Sequence, residues 1–371
     1  MITAVPLFAN FTALPIVYLY LFVGSQRFSV VFDTGSADLL LPLFDCATCG
    51  TNNTWTPPTD QSIASCPCPS KTTCTPANNC AFTAAFGGIA EQALLAADSV
   101  GLSHVRVRAP FGAVFNITAP SQRRKRQAFQ YPDGLWGAAF ASIGSTGHQL
   151  WDSLRSGFTP PLPDVFGHCF GTNGGVLSLG GPSPFVRQSH AWIPITKADF
   201  YRFNMIGMLL DGVSLNVSQT TWNAVAAIVD TGTPTVNVPV VAFAALRAAI
   251  AARCAAGATY HGFCDVAPGQ PTLLDGACFS FTAQQMRSMP QIAFLVGDSS
   301  APLKLEYDSR AYLTVSPYQC SDPSQLSFAL SSPGDNFTVL GASFMTTHAV
   351  AYDRGSMRLG FAPSHGCPAP H

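Results

Sequence analysis

Phe28-Ser29-Val30-Val31-Phe32-Asp33-Thr34-Gly35-Ser36 is an apolar run rich in β-branched and aromatic residues that ends abruptly in an acid, a hydroxyl, a glycine and a second hydroxyl. The run reads as a buried strand. Its end places a carboxylate at the strand terminus, with hydroxyls beside it and a glycine that lets the backbone turn and a ligand approach. The device returns 230 − 33 = 197 residues later as Ala226-Ala227-Ile228-Val229-Asp230-Thr231-Gly232-Thr233. One Asp-Thr-Gly is common in turns. Two copies half a chain apart, each after an apolar run, predict a paired-carboxylate site between two related lobes.

Further segments follow in a fixed order. They are Asp133-Gly134-Leu135-Trp136-Gly137, the glycine-flanked apolar stretch from Gly174 to Gly181, and Val339-Leu340-Gly341-Ala342-Ser343-Phe344. Tyr352-Asp353-Arg354 and the stretch Leu359 to Ala362 close the chain. Together with the two Asp-Thr-Gly motifs, these make nearly the whole chain resemble the pepsin-like aspartic proteases. The resemblance implies an all-β fold with a few short helices, two lobes (1–190 and 191–371) and a cleft between them. It implies Asp33 and Asp230 as catalytic residues. Gly35, Phe86, Gly87, Gly88, Gly232 and Thr233 would line the substrate, and Thr34, Ser36 and Thr231 would support the acids.

Composition agrees with two lobes of turn-rich β structure: 371 residues exceed one ordinary core, and there are 31 glycines and 29 prolines. Charged residues are only 11%, against roughly 25% in typical domains. Few charges leave few paired carboxylates for acid to break, which suits an acidic compartment. A net charge of −1 gives no electrostatic case for nucleic acid. There is no Gly-x-Ser-x-Gly elbow, His-Glu-x-x-His helix, phosphate loop or dinucleotide fingerprint, and neither a metal nor a cofactor is expected.

Twelve cysteines read as a disulfide framework. Six of them, Cys46, Cys49, Cys66, Cys68, Cys74 and Cys80, crowd one loop-like region, where the connectivity is open. A zinc site there would lack histidine. The resemblance implies a Cys278–Cys320 bridge, Cys254 and Cys264 are expected to pair locally, and Cys169 and Cys367 then remain to join. Five sequons, at Asn10, Asn52, Asn116, Asn216 and Asn336, favour N-glycans and the secretory route, either extracellular or lysosomal. A signal peptide and a basic prosegment are not evident in this chain. The uncharged residues before Arg27 are interrupted by Pro6, Asn10, Thr12 and Pro15, so they read as entering strands and not as a membrane anchor.

Along the chain, Ala37 to Pro42 reads as a strand. Ala81 to Val100 reads as a hairpin turning at two glycines, in the place of the family's flap. A short helix is expected at Trp151 to Phe158, the second lobe's main helix at Val240 to Ala256, and strands at Ile292 to Val296, Lys304 to Tyr307 and Ala311 to Val315. Arg123-Arg124-Lys125-Arg126 is the only strongly basic run, and reads as a solvated loop or a processing site. Three positions depart from the family pattern: Phe86 replaces the flap tyrosine, Leu40 a tryptophan, and Pro234 a serine. The expected function is aspartic-type hydrolysis of polypeptides by a monomer. The alternative is a catalytically weakened, protease-like peptide-binding protein.

Overall fold

The computed structural model describes residues 2–10, 14–86, 88–118, 132–171, 173–315, 319–334, 336–364 and 366–367. Gly87 and the basic run at 123–126 lie outside these residues, as does the side chain of Phe86. The architecture is mainly β with short helices, and its contacts divide the chain into two units.

The first unit covers residues 18–164. Its strands run in the order Leu14–Val23, Gln26–Asp33, Gly134–Gly137, Leu39–Pro42, Val105–Thr118, Ile89–Leu102, Cys80–Phe86 and Thr73–Cys74. Phe22 and Val23 also pair with Gly101 and Val100, which closes the first six of these strands into a ring. Phe28, Val30 and Phe32 alternate into the core, as a strand with one buried face requires. The hairpin Cys80–Phe86/Ile89–Leu102 pairs in register up to Phe86 opposite Ile89.

The second unit covers residues 2–17 and 165–371. One antiparallel sheet runs in the order Ala191–Pro194, Arg358–Pro363, His348–Asp353, Val165–Gly171, Gly174–Leu179 and Thr3–Asn10. A five-stranded sheet holds Ala227–Val229 and Thr338–Leu340, and a four-stranded one holds Ile292–Asp298 and Ala301–Tyr307. The helix Val240–Ala255 buries Ala242, Leu246 and Ile250 at helical spacing. No helix among the described residues is long and apolar enough to cross a membrane.

Two expectations need correction. The strand expected at Ala311 to Val315 is a short helix, Ser309–Tyr312, followed by the two-residue strand Leu313–Thr314. Asp308 causes this by capping: its carboxylate accepts the Arg310 N–H at 2.9 Å and its carbonyl accepts those of Ala311 and Tyr312. The strand after the first motif begins at Leu39 and not at Ala37, because Asp38 is bonded elsewhere.

All twelve cysteines are in disulfides: Cys46–Cys49, Cys66–Cys74, Cys68–Cys80, Cys169–Cys367, Cys254–Cys264 and Cys278–Cys320. The sulfurs of Cys66, Cys68 and Cys74 are mutually close, but each is bridged and none is left as a thiolate ligand.

Candidate active site

Each unit builds its acid loop in the same way. In the first, Gln26–Asp33 ends at the acid, the loop turns through Thr34 to Asp38, and the chain resumes as Leu39–Pro42. The gap between these strands is filled by Gly134–Gly137, parallel to the former and antiparallel to the latter. In the second unit, Ala227–Val229 and Val236–Asn237 leave the same gap. Thr338–Leu340 fills it with the same pair of orientations. A loop whose two legs are held apart by a third strand cannot collapse into a hairpin, so its tip stays open for chemistry.

The bonds at the two tips match atom for atom. Asp33 Oδ1 accepts the Gly35 N–H at 2.8 Å, and Oδ2 accepts the Ser36 hydroxyl at 2.5 Å. Asp230 Oδ1 accepts the Gly232 N–H at 2.8 Å, and Oδ2 accepts the Thr233 hydroxyl at 2.5 Å. The acids are 7% and 8% exposed, too enclosed for surface caps yet open to a small molecule. Thr34 and Thr231, which follow them in the chain, are buried.

The glycines ending the filler strands have a steric reason. A Cβ on Gly137 would meet the backbone of Ser36 and Ala37, at 2.6 Å from the Ser36 carbonyl carbon. On Gly341 it would fall on the carbonyl oxygens of Thr233 and Thr235. The strands press on the acid loops by direct backbone contact: the Ala138 and Ala139 amides donate to the carbonyls of Asp33 and Ser36, and the Ala342 amide to that of Thr233. We expect Gly137→Ala and Gly341→Ala each to destabilise by ~3 kcal/mol, the upper end for overpacking, because rigid backbone cannot yield. Gly207→Ala, with nothing within 4 Å of its Cβ, serves as the control. Denaturant midpoints equal to that control would show that the contact is not tight.

Two supporting acids escaped the sequence reading. Asp38, buried, accepts the amides of Ser145 and Thr146 at 2.8 and 2.9 Å and the Thr146 hydroxyl at 2.8 Å, and so ties a distant turn to the first acid loop. The only signal was an acid in a charge-poor apolar stretch. Asp133 was read only as part of a motif. It accepts from the Ser29 amide and hydroxyl, Asn53 and Thr51 at 2.8–3.0 Å, and locks the filler strand to its neighbour. Leu40 packs with Phe82, Ala93 and Val114 against the base of the hairpin. Trp55, bridged to Leu43, donates its indole N–H to Asp98 at 3.0 Å. Gly88, at φ +78°, takes a turn conformation that suits glycine.

A duplicated loop-and-filler arrangement carrying one hydroxyl-bonded aspartate per copy defines the aspartyl protease class. The family model for eukaryotic aspartyl proteases matches residues 20–364, and the chain belongs to that family. Among curated relatives it is similar to pepsin A of Suncus murinus, with 24% identity over 91% of this chain and 78% of the relative. It is 26% identical to an aspartic protease of Phaffia rhodozyma over 92% and 74%, and 25% identical to cathepsin E-B of Xenopus laevis over 91% and 76%.

Proposed function

We propose that the chain is an aspartic endopeptidase that hydrolyses polypeptides with a water activated by Asp33 and Asp230. The observation that supports this best is the matching pair of bonds at each acid. In both copies Oδ2 is held by a hydroxyl and Oδ1 by a backbone N–H, so both carboxylates are held in place. Two carboxylates held close share one proton, the behaviour for which aspartic proteases are the standard example. The ionised member takes a proton from water as that water attacks the peptide carbonyl. The protonated member donates to the carbonyl oxygen, and a tetrahedral diol forms without a covalent enzyme intermediate. Its collapse breaks the C–N bond and leaves a carboxylic acid and an amine. The titration belongs to the pair.

In this reading Gly35 and Gly232 leave room for substrate backbone. Thr233 and the hairpin tip at Phe86, Gly87 and Gly88 line the peptide, and Thr34, Ser36 and Thr231 hold the acid loops. The lobes are 1–190 and 191–371, on the strength of the duplicated motif. The protein acts as a monomer on the secretory route, extracellular or lysosomal. Asn52, Asn216 and Asn336 are exposed and fit N-glycans. Asn116 has its amide engaged by Gln92 and Thr48, which competes with a glycan there.

Cleavage of an unfolded protein at about pH 3–5, with and without a transition-state-mimicking peptide, tests the reading. Cleavage that the peptide blocks is expected. Tight binding of that peptide with no cleavage would instead favour the weakened peptide-binding protein, to which the departures at Phe86, Leu40 and Pro234 point.

A further inference from the structure

Glu91 lies on the return strand of the hairpin, opposite Ala84 on one side and Ile117 on the other. Directly opposed residues share a face, as do residues two apart on one strand. Glu91 therefore faces the side of Phe82, Ala93 and Val114, which cluster with Leu40 and Cys46 and are flanked by Ala84, Ile117 and Leu135. A partly buried carboxylate beside an apolar cluster calls for a cationic partner, and none lies among the described residues. No hydrogen bond or ion pair links its side chain to another described residue. The packed strands Cys80–Phe86, Leu39–Pro42 and Gly134–Gly137 carry no charged residue. On Val105–Thr118 the charges are Arg106 and Arg108, which pair far away with Gly101 and Ser99. On its own strand the other acid, Asp98, is bonded to Trp55.

We infer that Glu91 is a specificity-determining residue, whose carboxylate receives a lysine or arginine side chain of a peptide lying along the hairpin. The inference rests on the peptidase reading for where the peptide lies. An apolar wall ending in one carboxylate complements a lysine or arginine, whose apolar stem can lie on the wall while its cationic head meets the acid. An apolar substrate side chain would leave the carboxylate unpaired, which is tolerable only when it is protonated. Burial holds the Glu91 carboxyl up at about 7. The site is then blind to charge in acid, and its preference for a basic side chain grows as pH rises towards and past neutrality.

The probes are transition-state-mimicking peptides carrying lysine or norleucine at each position around the scissile bond, with matched cleavable peptides. Binding by calorimetry and cleavage are measured at pH 5 and 7.5 for wild type, Glu91→Gln and Glu91→Lys, with melting curves for each. At one position the lysine-to-norleucine affinity ratio should be larger at pH 7.5. It should fall roughly tenfold in Glu91→Gln, the scale of a charge-assisted hydrogen bond, and turn towards acidic side chains in Glu91→Lys. Equal ratios in wild type and Glu91→Gln at both pH values overturn the inference. Peptides that bind with the charge preference but are never cleaved leave the inference standing and remove the peptidase reading. Charge-blind cleavage does the reverse, and no binding at all removes both.

Discussion

Asp33→Asn should lower peptide cleavage by about 10³-fold or more while moving the melting temperature by only a few degrees. The stability half follows from the bonds around the carboxylate. Asparagine retains an oxygen to accept the Gly35 N–H, and its amide can donate to the Ser36 hydroxyl, which turns from donor to acceptor. The net cost is about 1 kcal/mol. The activity half follows from the chemistry: an amide cannot take or give the proton that water attack requires, and a lost acid–base group removes roughly 10²–10⁴-fold. Asp230→Asn should behave alike, since Gly232 and Thr233 repeat the same two bonds. Near-normal cleavage by either variant with unchanged melting would show that the two acids do not carry the reaction.

The second large effect is loss of stability in mild acid. His168 and His348 are 0% and 5% exposed. Both rings stack on phenylalanines, Phe170 and Phe344, at 4.3 Å. His168 Nε2 meets the Tyr352 hydroxyl at 3.1 Å, and His348 Nδ1 meets that of Thr347 at 3.2 Å. Burial lowers His168 to about 3, with the charge of His190 adding to the effect. Burial also lowers His348 to about 4, against a partial pull upward from Phe344, Asp308 and Glu306. A depressed histidine stays neutral in the fold while the unfolded chain takes up protons below about 6.5. Stability therefore falls as pH drops from about 6.5 to the folded values, by about 1.4 kcal/mol per pH unit for each ring. Between pH 6.5 and 4.5 the two together cost of order 5 kcal/mol, a large share of an ordinary domain's stability. Glu91, raised to about 7 by burial, works in the opposite direction between about 7 and 4.5, and less strongly because it is partly exposed. Denaturant titrations at pH 7, 5.5 and 4.5 should show the decline, and His168→Phe and His348→Phe should each flatten its slope whatever they do at pH 7. Unaltered slopes in both would mean that these histidines are not the source. The low charge content pointed to acid tolerance. The buried histidines set a limit on it, so activity lost below about pH 4.5 should be checked against unfolding.

The chemistry of the acid loops was legible in the sequence because it is local. Asp33 and its partners Gly35 and Ser36 lie within three residues, as do Asp230, Gly232 and Thr233, so strand pattern and turn residues are enough to read them. The helix Val240–Ala255 and the hairpin at Cys80–Leu102 were legible for the same reason: period and turn residues are short-range properties.

Whatever depends on which distant segment meets which was left to the tertiary structure. No local property says that Gly134–Gly137 fills the gap beside Gln26–Asp33, a hundred residues earlier, or that Thr338–Leu340 does so beside Ala227–Val229. The glycines at 137 and 341 are explained only once that backbone contact exists. Six clustered cysteines allow many pairings, and chain folding selects Cys46–Cys49, Cys66–Cys74 and Cys68–Cys80. Asp38 and Asp133 gain their roles from partners 80 to 108 residues away. Glu91 faces an apolar cluster because strand register assigns it that face, and a slip of one residue would turn it to the other side. Residue type determined what each side chain can do, and long-range pairing decided what it meets.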